Sequence, residues 1–106
     1  MRIGVISDIH SDPIALERAL ELLLSERVDR ILCLGDIVEK GPDGDRCIEL
    51  IREFRIPSVQ GNHDANAIKH SELPKELRGD DRDALSDDSI RYLESLEPRR
   101  EYLWHW

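Results

Sequence analysis

The strongest constraint on the fold is a repeated pattern: three strand-like runs, each ending in a cluster of Asp, His, Asn and Gly. Residues 2–7 (RIGVIS) run into Ser7-Asp8-Ile9-His10, residues 30–34 (RILCL) into Gly35-Asp36, and residues 57–60 into Gly61-Asn62-His63-Asp64. Helical patterns lie between the runs. Residues 13–26 carry Leu16, Ala19, Leu20, Leu23 and Leu24 at spacings of three and four, the stripe of a helix with one buried face. Asp12 precedes it as a cap, and Pro13 takes the first helical position, where a missing N–H costs nothing. Residues 45–54 form a second helix with Cys47, Ile48, Leu50, Ile51 and Phe54 as its apolar set. Strands alternating with helices predict an α/β fold with a parallel β-α-β-α-β core and right-handed crossovers.

The pattern weakens after Asp64. Residues 65–69 continue one or two helical turns, and residues 71–83, polar and holding Pro74 and Gly79, read as a surface loop. Residues 87–96 are a clearer helix. Ser86 caps it, Asp87 and Asp88 suit the positive end of its dipole, Leu85 can staple onto Ile90, and Pro98 stops it. Residues 101–106 (EYLWHW) begin a further strand. With no internal repeat or linker, residues 1–106 read as a single domain. The first two strands are nearly continuous in apolar residues, which predicts cover on both faces of the sheet. Two same-handed crossovers cover one face only. The late helix, or something absent from the chain, would have to cover the other; a sheet face or edge left uncovered would let two copies pair as a homo-oligomer.

Charge and composition narrow the function. Fifteen Lys and Arg against 23 Asp and Glu give a net charge of −8, which disfavours nucleic acid as a mere polyanion. No run approaches the roughly 20 apolar residues of a membrane span. Arg2 leads straight into a strand rather than a secretory signal. Cys33 and Cys47 form neither a C-x-x-C pair nor a zinc spacing, and read as buried thiols of a reducing cytoplasm.

The three clusters carry the chemistry. In a parallel sheet the carboxyl ends of the strands share one edge, so segments far apart in sequence converge on one crevice. The donors brought there are carboxylate, imidazole, carboxylate, amide oxygen and imidazole: Asp8, His10, Asp36, Asn62 and His63. Such a set suits Mn²⁺, Fe²⁺, Zn²⁺ or Mg²⁺. Asp8 and His10, two apart on an extended segment, point the same way and can grip one ion. Gly35 and Gly61 let the backbone turn sharply beside it. Singly, each residue reads as a cap, a turn residue or a satisfied histidine; three clusters in succession do not.

Asp8-Ile9-His10, Gly35-Asp36-Ile37-Val38 and Gly61-Asn62-His63-Asp64 together resemble the calcineurin-like metallophosphoesterases. Gly41-Pro42-Asp43 and the helix near residues 85–96 resemble the small bacterial members. The resemblance implies the first half of a four-layer α/β/β/α sandwich and hydrolysis of phosphomonoesters or phosphodiesters at a dinuclear site. Asp8 and His10 would hold the first ion, Asp36 would bridge two, and Asn62 would bind the second. His63 would sit off the metals and either donate a proton to the leaving oxygen or steady charge on the phosphoryl group, with Asp64 as a supporting acid. The implied cofactors are two divalent ions, Mn²⁺ foremost, with Fe²⁺, Zn²⁺, Ni²⁺ and Mg²⁺ as alternatives. A bridging carboxylate is physically apt, because two close cations repel strongly in a low dielectric.

Two departures qualify the match. Some relatives continue the second motif with Asp-Arg-Gly, where this chain has Glu39-Lys40-Gly41, read here as a solvated Glu–Lys pair. A Gly-His-x-His motif, which completes both metal sites in the family, has no counterpart; His70 and His105 read as structural. The chain thus reads as a phosphoesterase domain cut short at its C-terminal side. The alternative to an active enzyme is a remnant that binds one metal or phosphate without turnover.

Overall fold

Residues 1–79 and 84–101 are described by the computed structural model. Ile3–Ile6 forms β1 and Arg30–Cys33 forms β2, paired in parallel with Gly4 opposite Ile31 and Ile6 opposite Cys33. The segment expected as a third strand contributes one parallel bridge, Cys33 to Ser58. There the Cys33 N–H donates to Pro57 O at 2.9 Å and the Val59 N–H to Cys33 O at 3.2 Å. Pro57 has no N–H with which to extend the ladder, so the pairing stops and the sheet among the described residues has two strands.

Between the strands, α1 spans Pro13–Ser25, and the Asp12 side chain accepts from the Ala15 N–H at 3.1 Å as a cap. Leu16 and Leu20 are buried, Ala19 and Leu23 pack beside them, and Leu24 at the edge of the stripe is exposed. The second helix, α2, spans Gly44–Glu53 and starts one residue earlier than expected, because Asp43 caps it through the Arg46 N–H at 3.1 Å. Cys47, Ile48, Leu50 and Ile51 are buried as their spacing predicts, whereas Phe54 is exposed. Cys33 and Cys47 are both buried and outside any disulfide.

The third helix departs most from expectation. α3 spans Asn62–Ser71, so Asn62, His63 and Asp64 form its first turn rather than a loop. A short 3₁₀ turn, Lys75–Leu77, follows inside the expected surface loop. α4 spans Asp87–Ser95, capped by Ser86 through the Ser89 N–H at 3.1 Å. The C-terminal strand expected over residues 101–106 lies, apart from Glu101, outside the described residues.

α4 packs against α3 and is tied to α2. Asp45 accepts from the Ser89 hydroxyl at 2.6 Å and the Ser86 N–H at 3.0 Å, Arg52 donates to Asp88 at 2.9 Å, and the Gln60 amide donates to Leu93 O at 2.9 Å. One sheet face, with Gly4 and Ile6, lies under α1; a Cβ on Gly4 would press into the Leu23 side chain. The opposite face carries Ile3, Val5 and Leu34, of which Val5 is 52 % and Leu34 55 % exposed. The late helix does not cover it.

Candidate metal centre

Because β1 and β2 run parallel, both empty their chains at one edge, and there the backbone turns left-handed. Asp8, His10 and Ser11 have φ of 56°, 48° and 59°, and Gly35 and Asp36 follow with 93° and 56°. The Asp8-Ile9-His10 segment is therefore not extended as expected. Asp and His tolerate this region better than most side chains, but each such residue still costs free energy. The side chains nevertheless meet: His10 Nε2 stands 3.4 Å from Asp8 Oδ1.

Backbone hydrogen bonds lock the first loop to the second. The His10 N–H donates to Asp36 O at 3.1 Å and the Ser11 N–H to Ile37 O at 2.9 Å. The third cluster joins through the His63 N–H, which donates to Asp36 Oδ1 at 3.0 Å. Asp36 is thus the residue on which all three segments close. Gly35 supplies the positive φ expected of it. Gly61 matters for space instead, since a Cβ there would overlap the Asp36 carboxylate and backbone nitrogen. Gly41 likewise sits against the carbonyl oxygens of His10 and Ser11, where a side chain would not fit.

The Asp8 carboxylate is exposed and accepts from the Ser7 hydroxyl at 2.8 Å. That hydrogen bond, assisted by the nearby His10, holds its carboxyl below the usual range. His10 Nδ1 is buried with no hydrogen-bond partner among the described residues, and the His10 ring meets the His63 ring edge-on at 4.9 Å. An ionised carboxylate with the His10 Nε2 nitrogen beside it fits a divalent cation. The remaining donors are Asp36, half-buried, and Asn62, exposed at the first residue of α3. Among the described residues no three His, Cys, Asp or Glu side chains converge as a group that could hold an ion. The residues fit a metal as a pair, Asp8 and His10, with Asp36 tied to the same loops.

Glu39 was read from sequence as half of a solvated pair with Lys40. Instead its Oε1 lies 2.9 Å from His63 Nδ1. Both side chains are partly enclosed, which favours the pairing over solvation of Glu39. The available signal was an acid placed where relatives carry Asp. The Ser7 contact to Asp8 had no comparable signal.

Asp64 is fully buried, and its carboxylate takes four backbone donors: Asp36 N at 2.9 Å, Ile37 N at 2.8 Å, Val38 N at 3.2 Å and Gly61 N at 2.9 Å. Burial pushes its carboxyl up, while these donors pull the other way. The supporting-acid role read from the sequence has no exposed carboxylate to perform it. His70 lies in the last turn of α3, and His105 lies outside the described residues.

A family model for calcineurin-like phosphoesterases matches residues 1–103, and the chain belongs to that family. A solved metallophosphoesterase from Sphaerobacter thermophilus is 39 % identical and superposes with a TM-score of 0.77, covering 96 % of this chain and 44 % of that one. An uncharacterised protein of Methanocaldococcus jannaschii is 44 % identical over 67 % of this chain and 29 % of its own length. Serine/threonine-protein phosphatase 1 of Salmonella typhimurium is 31 % identical over 62 % of this chain and 31 % of its own. The chain therefore spans less than a third of the curated relatives it matches. Among the described residues no helix is long and apolar enough to cross a membrane.

Proposed function

We propose that the chain carries the metal-holding edge of a metal-dependent phosphoesterase acting on phosphomonoesters or phosphodiesters. The observation that carries this reading is the closure of all three motif segments on Asp36. Asp8 and His10 would hold one ion, Asp36 would bridge to a second, and Asn62 would bind that one; Mn²⁺ suits this mixed oxygen and nitrogen set. When bound, such ions supply charge neutralisation at the phosphoryl group and activation of a water. The chain's own residues do the rest. Glu39 engages His63 Nδ1, so Nε2 is the nitrogen left to face the leaving oxygen, and it hands over a proton when the ring is in the imidazolium form with its Nδ1–H held by Glu39. The left-handed turns at Asp8, His10 and Asp36 hold the donors in place before substrate arrives. Two buried cysteines outside any disulfide agree with a reducing, cytoplasmic setting.

A second reading, a chain that binds a single ion or phosphate without turnover, is favoured by one observation. Asp8 and His10 approach each other, but no three acidic, thiol or imidazole side chains converge among the described residues. The deciding experiment is Mn²⁺-dependent hydrolysis of bis-p-nitrophenyl phosphate by the 1–106 chain, beside Asp36→Asn and a chelated control. The enzyme reading expects turnover that both controls abolish. Turnover that survives both overturns it, and Mn²⁺ uptake without turnover establishes the second reading.

A further inference from the structure

Asp64 is the most enclosed charged group of the described chain, and it stands in no ion pair among them. A buried carboxylate is costly unless hydrogen bonds replace its lost water. Here the replacement is a ring of four amides. Only one of them, Gly61 N, belongs to the start of its own helix. The other three, Asp36 N, Ile37 N and Val38 N, lie 26 to 28 residues earlier, on the turn that follows β2. A helix cap alone would need only the first.

The same turn is gripped from its other side. The carbonyls of Asp36 and Ile37 accept from the His10 and Ser11 N–H groups, and the Asp36 carboxylate accepts from the His63 N–H. Asp36 itself sits at φ 56°, a conformation that needs outside support in a residue with a side chain. On the amide side, that support comes from Asp64. An amide in place of the carboxylate would turn an NH₂ group towards two of the four donors, so the turn would have to open.

We infer that Asp64 is a positioning residue: by gathering the amides of residues 36–38 and 61, its carboxylate fixes the turn that presents Asp36 to a divalent cation. The role rests on the metal-centre reading proposed above. It acts through Asp36 and, via the His10 and Ser11 hydrogen bonds, on the first loop as well. It needs no contact between Asp64 and metal or substrate.

The test is Mn²⁺ affinity, read as loss of the free-ion electron paramagnetic resonance signal. It compares the unmodified chain, Asp36→Asn, Asp64→Asn and the core variant Leu20→Ala, at a temperature where circular dichroism shows each to be folded. Loss of an outer-shell partner costs about 10–100-fold in metal affinity, and that range is expected for Asp64→Asn. Leu20→Ala, equally buried but remote from the site, should change affinity less than about threefold on the same scale. Asp64→Asn with unmodified affinity, or Leu20→Ala weakened as much, overturns the role and leaves the metal centre standing. No uptake by the unmodified chain overturns both.

Should Asp64→Asn fail to fold, the unmodified chain gives the answer by reciprocity, because a clamp that strengthens metal binding is itself strengthened by metal. Hydrogen exchange at the amides of residues 36–38 should slow at least tenfold on adding Mn²⁺, with residues 48–51 of α2 unchanged. Equal rates with and without metal overturn the inference.

Discussion

At the scale of single residues, the site depends on atoms that leave no room. Gly61→Ala would place a methyl group on the Asp36 carboxylate and nitrogen, backbone that is already pinned by Asp64 and cannot yield. Overpacking of this kind costs about 1–3 kcal/mol, so the variant should melt earlier and bind Mn²⁺ more weakly, as calorimetry and metal titration would show. Glu39 governs a different atom. Without its acceptor at His63 Nδ1, the imidazole loses the hydrogen bond that orients the ring. In the enzyme reading proposed above, Glu39→Ala, which leaves no acceptor, should lower kcat with KM little changed, towards the lower end of the roughly 10²–10⁴-fold that a positioned proton donor contributes. A variant with KM raised and kcat intact would place Glu39 in substrate binding instead.

At the scale of elements, what the sequence made legible is what local chemistry decides. Asp12, Pro13 and Ser86 announced the starts of α1 and α4, and spacing announced the buried faces of α1 and α2. The start of α3 was not legible. Its first turn is chosen by Asp64 reaching a loop far back in the chain, a long-range contact that no window of residues contains. The third strand failed for a local reason, the missing N–H of Pro57, whose consequence depends on which edge it meets. Asp8 and His10 were found as a pair, but their left-handed backbone is imposed by the hydrogen bonds to Asp36 and Ile37. Between α2 and α4, Tyr92 offers a test of packing by pH. Burial pushes its phenol up to about 12, only partly offset by Arg52 over the ring. A folded-state value above the unfolded one of about 10 means the contribution is whole below pH 10 and lost as pH rises through 12. Denaturant melts of the native chain should therefore lose stability between these pH values, and Tyr92→Phe should lose less.

At the scale of the whole molecule, the sheet has two faces of unlike environment, and the same apolar residue should differ in worth between them. On the covered face, Leu20 of α1 belongs to a core with Ile6, Leu16 and Cys33. Truncating such a side chain removes transfer free energy and leaves a cavity, about 2–5 kcal/mol for Leu→Ala. On the other face, Val5 and Leu34 already meet water over half their surface, so little is lost when a smaller or more polar side chain replaces either. Val5→Thr and Leu34→Thr should each change stability by no more than about 0.5 kcal/mol, the usual span for surface positions. Urea melts of the 1–106 chain check this directly. A cost above that span would mean the face is covered in solution, and melts repeated at tenfold different protein concentration would identify a second copy as the cover, because only association makes the midpoint depend on concentration. A small cost at every concentration would mean that a single copy keeps its motif edge folded with one sheet face open. The hydrogen bonds that converge on Asp36 would then suffice to hold the site without a second apolar layer.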